Sequence, residues 1–134
     1  MRPWLPIVIF AVVYFVLGAI VGALAGSAHT LELLKAWRWA AWVVIGITFL
    51  VEVWYERVRA GHTAVAAAWH TAAALALYAL LVAATGPVRA HWGTPTQGRA
   101  VLALILWPLL AGGASFLAAW IAAAVLRPRA AAHG

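Results

Sequence analysis

The sequence predicts an all-α membrane protein, an antiparallel bundle of four transmembrane helices joined by short loops. About two-thirds of its 134 residues are apolar and only 9% are charged, whereas a soluble domain carries about 25% charged residues. The apolar residues fall into four stretches, each near the roughly 20 residues that cross a bilayer core. The charged residues stand at the ends of these stretches, where lipid headgroups lie. Residues 1–134 are therefore predicted to form a single transmembrane domain.

The predicted spans cover about residues 5–25, 36–55, 63–85 and 100–126. Each should be helical, because an open strand in hydrocarbon would leave backbone groups without hydrogen-bond partners. The first stretch is longer than the ~7–15 residues of a signal-peptide core, so we expect it to be a retained span. The turns between the spans should be short, which places neighbouring helices antiparallel.

The breaks between spans are predicted from local residue types. Thr30 is a favourable N-cap for the second helix, and Glu32 follows in the first turn. The segment 56–62 should form a tight charged turn, and Gly86 with Pro87 should stop the third helix. Residues 127–129 should close the fourth helix, since they place a proline between two arginines.

The basic residues divide almost evenly between the two membrane faces. Five would share the side of the termini: Arg2, Arg57, Arg59, Arg127 and Arg129. Four would lie opposite: Lys35, Arg38, Arg89 and Arg99. The positive-inside rule then favours cytoplasmic termini by one charge. We expect a multi-pass protein of a bacterial inner membrane, from the high alanine and arginine usage, with lipid as its immediate partner. The basic residues do not cluster into a patch, so no nucleic-acid partner is predicted.

Glycines spaced by four indicate close helix packing. Gly18, Gly22 and Gly26 share one face of the first helix, and Gly112 with Gly113 follows a proline in the fourth. Glycine lets two helix backbones approach closely in lipid, where no hydrophobic effect drives association. The pattern predicts packing within the chain or between copies, and hence a homo-oligomer or a larger membrane complex.

A polar stripe marks the second helix. Thr48, Glu52 and Tyr55 recur at steps of three and four, followed by Glu56 and Arg59. Glu52 should lie one turn inside the boundary, and an ionised carboxylate costs about 2.5–3.5 kcal/mol at the bilayer centre, less near the surface. It is either neutralised by a nearby arginine or part of a proton or cation relay.

His70 should lie at the depth of Glu52 across the predicted hairpin, so we expect the two side chains to pair. Ala66 precedes His70 by four residues, a spacing that resembles the histidine site of bacterial light-harvesting polypeptides. The resemblance implies haem or bacteriochlorophyll bound through His70. The alternative is a packed, hydrogen-bonded histidine, and no cofactor is predicted from the remaining residues.

One set of candidate metal ligands lies at the end of the predicted bundle opposite Glu52 and His70. His29, Glu32 and His91 could form a two-histidine, one-carboxylate set, although they come from different loops and nothing sets their separation. His62 is expected to be a solvated turn residue. No metal is predicted from these patterns.

Signatures of an enzyme are missing from the sequence, which contains no cysteine, aspartate or asparagine, so the prediction leans away from catalysis. The size and span count are similar to those of small multidrug-resistance transporters and fluoride channels. The first family carries a carboxylate in its first helix and the second an asparagine, and this chain has neither. The leading hypothesis is a non-enzymatic accessory subunit or self-associating bundle. The alternatives are a small homodimeric transporter or channel using Glu52 and His70, and a tetrapyrrole-binding protein.

Overall fold

The computed structural model describes residues 2–126 as four long helices, with no strand in that range. The helices are α1 (Leu5–Gly26), α2 (Leu31–Arg59), α3 (Ala64–His91) and α4 (Gln97–Val125). Each is long and apolar enough to cross a membrane, which confirms the all-helical prediction and supports a membrane protein. The predicted stop at residues 127–129 and the charges of Arg127 and Arg129 lie outside the described residues.

Helix α2 begins at Leu31, as the prediction of Thr30 as its N-cap requires, five residues before the predicted membrane span at residue 36. The Thr30 hydroxyl accepts a hydrogen bond from the Leu33 N–H at 3.1 Å. This N-cap satisfies one of the free amides of the first turn, as expected of threonine there. Helix α4 starts at Gln97 instead of residue 100 and runs unbroken through Pro108.

Two π-helical turns overturn two predicted breaks. Helix α2 does not end at residue 55 but continues through a π turn, Tyr55–Arg59, so the connection to α3 shrinks to residues 60–63. Helix α3 does not stop at Gly86 and Pro87, because a π turn, Ala84–Val88, carries the chain past them to His91. The wider π turn accommodates the missing proline N–H without ending the helix.

Helix α3 lies at the centre of the described structure. It packs most extensively against α4 and also against α1, while α2 packs mainly against α1. Small residues make the α3–α4 contact close: Ala67, Ala68, Ala119 and Ala123 are fully buried in one cluster with Val53 of α2. A second cluster joins α1 to α3 through Tyr14, Ala74 and Leu75.

The predicted packing glycines occupy different environments. A Cβ at Gly18 would lie 3.0 Å from the Tyr78 hydroxyl, and one at Gly112 would lie 3.4 Å from the Ala76 Cβ. Both glycines therefore lie at helix contacts within the chain. A Cβ at Gly22, Gly26 or Gly113 would meet no described atom within 4 Å. The packing role of these three stays a prediction.

The outward surface of the helices is apolar and rich in tryptophan. Trp39 and Trp42 are each 73% exposed, and Val125 is 77% exposed. Contiguous apolar surface of this kind is rare on a protein surrounded by water and is usual where lipid or another helix covers it. The fold buries few polar side chains among the described residues: Glu52, Glu56, Thr71 and Ser115.

Candidate functional site

A carboxylate lies in the interior between α1 and α2. Glu52 is fully buried, and its Oε2 accepts a 2.7 Å hydrogen bond from the hydroxyl of Tyr14, which is also fully buried. Its other oxygen, Oε1, has no hydrogen-bond partner among the described residues. The Tyr14 ring rests against the Tyr78 ring with centroids 5.9 Å apart, and the absence of a side chain at Gly18 leaves room for Tyr78. The geometry therefore presents one satisfied and one free carboxylate oxygen in an apolar surrounding.

A second buried carboxylate lies one turn further along α2. Glu56 is four residues after Glu52, which corresponds to about 6 Å along a regular helix, and its side chain is 1% exposed. The same oxygen, Oε2, lies 2.5 Å from the His62 Nδ1 and 2.8 Å from the His70 Nδ1. The two imidazole rings meet edge to face, with centroids 4.6 Å apart. We call Glu56, His62 and His70 the histidine–carboxylate cluster.

The connection between α2 and α3 holds His62 over this carboxylate. Gly61 takes a positive φ of 72°, which turns the chain back toward α2. The His62 N–H then donates to the Glu56 carbonyl at 3.0 Å, and the His62 carbonyl accepts from the Arg57 Nη1 at 2.9 Å. Both backbone groups of His62 are thus paired within the turn.

Arg57 also ties this end of α2 to the end of α4. Its Nε donates to the carbonyls of Ala123 and Leu126 at 2.9 and 3.1 Å. The last carbonyls of a helix have no partner within it, so the guanidinium satisfies groups that would otherwise be free. The cluster is therefore supported from α2, α3 and α4.

The predicted pairing of Glu52 with His70 is wrong. Glu52 accepts from Tyr14 of α1, and His70 pairs with Glu56. The prediction assumed that α2 and α3 form a close hairpin, whereas α2 packs mainly against α1 and makes few contacts with α3. Thr48 and Tyr55 lie outside both polar groups. The Thr48 hydroxyl donates to the carbonyl of Val44 in its own helix, and the Tyr55 ring packs on Phe10.

The metal candidates proposed from the sequence do not come together. Within residues 2–126, the set of side chains with ligand atoms all within 4.8 Å of one another is the histidine–carboxylate cluster. His29 and Glu32 are exposed, and His91 is bonded through Nδ1 to the Thr96 hydroxyl at 2.8 Å. Sequence reasoning missed the cluster because it placed Glu56 and His62 in a solvated turn. The sequence did offer one indication of the cluster: three side chains of the kind that bind metals lie in or beside one short connection between helices.

No protein-family model, curated protein or solved structure matches this chain. The chemistry open to the site is therefore argued from its geometry. Glu52 offers an oxygen that can bind a proton or cation inside the apolar interior, and the cluster offers two imidazoles with a carboxylate nearer the surface. Tetrapyrrole binding through His70 stays a prediction.

Proposed function

We propose that this chain is a small integral membrane protein that moves protons across the bilayer, as a transporter or channel, through the carboxyl group of Glu52. The observation that carries the proposal is the free Oε1 of a fully buried glutamate within an apolar span. An ionised carboxylate costs about 2.5–3.5 kcal/mol at the centre of a membrane and less toward its surface, and ionisable residues in spans mark proton and ion pathways. A bound proton or cation removes that cost.

The bundle topology that the proposal requires is four antiparallel spans. Contacts between α1 and α2 support it, since Phe10 meets Tyr55 and Tyr14 meets Glu52. The order of contacts between α3 and α4 is likewise reversed: Trp69 meets Phe116 at one end, and Ala76 meets Gly112 further along. We place the protein in a bacterial inner membrane because of its high alanine and arginine usage, with cytoplasmic termini because five of the nine basic residues would lie on that side.

The route to Glu52 starts at the histidine–carboxylate cluster. His62 has a side chain that is 37% exposed, His70 is less exposed, and Glu56 is almost completely buried. Imidazoles and carboxylates can pass protons between hydrogen-bonded partners. A proton entering at His62 would thus reach Glu56, one helical turn from Glu52. From there it would pass to the free Oε1 of Glu52, while the Tyr14 hydroxyl keeps donating its own proton to Oε2.

Proton flux into liposomes tests the proposal. The purified protein is reconstituted with a pH-sensitive dye inside, and a potassium diffusion potential drives protons inward. We expect the wild-type protein to acidify the lumen and the Glu52→Gln variant to fall to the rate of empty liposomes. Glu32→Gln is the matched control, since Glu32 is an exposed carboxylate in the first turn of the same helix.

Two outcomes would overturn this function. One is the absence of flux from folded wild-type protein, and the other is equal flux from the wild type and Glu52→Gln. Tryptophan fluorescence and a single symmetrical elution peak would establish that each variant is folded before flux is compared.

A second candidate function is self-association as an accessory or scaffold bundle, and the open glycine face of α1 favours it. Gly22 and Gly26 are exposed with no described neighbour within 4 Å of a Cβ position, and small residues four apart support helix dimers in lipid. Gly22→Leu should then shift the protein from dimer to monomer in detergent sedimentation. Leucine at the adjacent exposed Ala23 is the control, and equal behaviour of the two variants would exclude this face as the interface.

A further inference from the structure

The histidine–carboxylate cluster has the composition of a transition-metal site. Imidazole nitrogens and a carboxylate oxygen are preferred ligands of Zn²⁺, and two histidines with one glutamate form a recurrent three-ligand set that leaves a fourth position open. The ligand atoms of Glu56, His62 and His70 all lie within 4.8 Å of one another. Two neutral imidazoles and one carboxylate bring a net charge of −1 to a dication.

The cluster is held by contacts that do not use its ligand atoms. The backbone of His62 is fixed on both sides, by the Glu56 carbonyl and by Arg57. Arg57 directs its remaining hydrogen bonds to the carbonyls at the end of α4 and makes no hydrogen bond to the Glu56 carboxylate within the described residues. The Arg57 guanidinium is thereby engaged with backbone carbonyls, and the ligand atoms of the cluster lie close to one another.

A small adjustment would convert the present hydrogen bonds into metal coordination. Ligands about 2.0–2.1 Å from a tetrahedral ion lie about 3.3 Å from one another. The two Nδ1–Oε2 separations are 2.5 and 2.8 Å, so each contact must open by less than 1 Å. The proton on each Nδ1 would move to Nε2, which exchanges one neutral tautomer for the other and leaves the imidazole charge unchanged.

From this geometry we propose that Glu56, His62 and His70 bind one divalent transition-metal ion of the Zn²⁺ type, where the end of α2 meets the start of α3. The partly exposed His62 opens the site to solvent, and the buried Glu56 anchors it. This site does not include Glu52, and metal binding does not require proton movement through Glu52. A bound ion would occupy the side chains at which the proposed proton route begins.

Metal titration of the purified protein tests the site. The protein is prepared through a tag without histidine, stripped with chelator, and titrated with Zn²⁺ by calorimetry in detergent. Co²⁺, whose visible absorption reports tetrahedral nitrogen and oxygen coordination, serves as the spectroscopic probe. We expect one ion per chain, and no displacement by excess Mg²⁺, which prefers an octahedral shell of oxygen ligands.

Histidine variants decide which residues bind the ion. His62→Ala and His70→Ala should each weaken Zn²⁺ binding by about a hundredfold or more, since even second-shell changes cost 10–100-fold. His29→Ala and His91→Ala are matched controls on exposed histidines outside the cluster and should leave the affinity unchanged. His62 lies in the connection and not in a helix, so its variant remains informative if His70→Ala fails to fold.

Some outcomes would reject the site. No stoichiometric Zn²⁺ binding, unchanged affinity in His62→Ala, or loss of binding in His91→Ala would each overturn it. Glu52→Gln should bind Zn²⁺ as the wild type does, so failure of the proton-flux proposal and failure of the metal site are separate results.

Discussion

Removal of the Tyr14 hydroxyl is the sharpest test of the buried carboxylate. The Tyr14→Phe substitution deletes one oxygen and keeps the ring that packs on Tyr78. The Glu52 carboxyl is 0% exposed, and one of its oxygens already has no partner among the described residues. Tyr14→Phe removes the hydrogen bond to the other oxygen, so that no described residue donates to this carboxyl. The substitution therefore changes the hydrogen bond and little else.

The magnitude follows from the nature of the acceptor. Hydrogen bonds to charged groups contribute about 1.5–3 kcal/mol in water-soluble proteins, whereas side-chain pairs within membranes average about 0.6 and reach about 1.7 kcal/mol. The complete burial of Glu52 and its single donor place this bond near the upper membrane value. We expect Tyr14→Phe to lower the free energy of unfolding by about 1–2 kcal/mol.

Unfolding in mixed micelles with increasing SDS, followed by tryptophan fluorescence, measures this change. Tyr78→Phe is the control, because the Tyr78 hydroxyl makes no side-chain hydrogen bond within residues 2–126 although its ring packs beside Tyr14. A double-mutant cycle with Glu52→Leu isolates the pair, and its coupling energy should be about 1 kcal/mol or more. The reasoning would be refuted by equal effects of Tyr14→Phe in the wild-type and Glu52→Leu backgrounds.

Two further predictions concern the packing around the site. Arg57→Ala should destabilise the protein by at least the ~1.5–3 kcal/mol of one charge-assisted hydrogen bond, because the guanidinium joins α2 to α4. Arg59→Ala is the control, and it should change the stability little because Arg59 is exposed. The same micelle assay measures both. Gly112→Leu should lower the free energy of unfolding by about 1–3 kcal/mol, because the larger side chain overpacks the α3–α4 contact. Gly113→Leu should leave the free energy of unfolding nearly unchanged, because no described atom lies within 4 Å of its Cβ position. Equal destabilisation within either pair would contradict the packing described.

Helix number and approximate position were predictable because a continuous apolar stretch of roughly 20 residues is needed to cross the bilayer core, and the chain has four such stretches. Helix ends were only partly predictable, since Thr30 caps α2 as predicted whereas Gly86 and Pro87 do not end α3. The polar contacts were the least predictable. Whether Glu52 faces α1 or α3 depends on how α2 packs, and no residue of α2 alone determines that.

The π turn at Tyr55–Arg59 explains why two carboxylates four residues apart have different partners. Its defining bond runs from the Ala60 N–H to the Tyr55 carbonyl at 2.8 Å. The turn at Ala84–Val88 contains Gly86 and Pro87, which account for it locally, whereas the segment 55–59 contains neither glycine nor proline. Local sequence does not require the first turn, so the tertiary contacts made within it must stabilise it.

Those contacts are the ones that the site uses. Glu56 reaches both histidines from this turn, and Arg57 reaches the end of α4 and the His62 carbonyl. A regular α-helical turn would wind these two residues further round the axis and move them relative to their partners. π turns recur at functional sites, and here the widened turn separates the inner carboxylate at Glu52 from the outer cluster at Glu56. The fold thereby places one carboxylate facing α1 and the carboxylate of the histidine–carboxylate cluster facing α3 on consecutive turns of one helix.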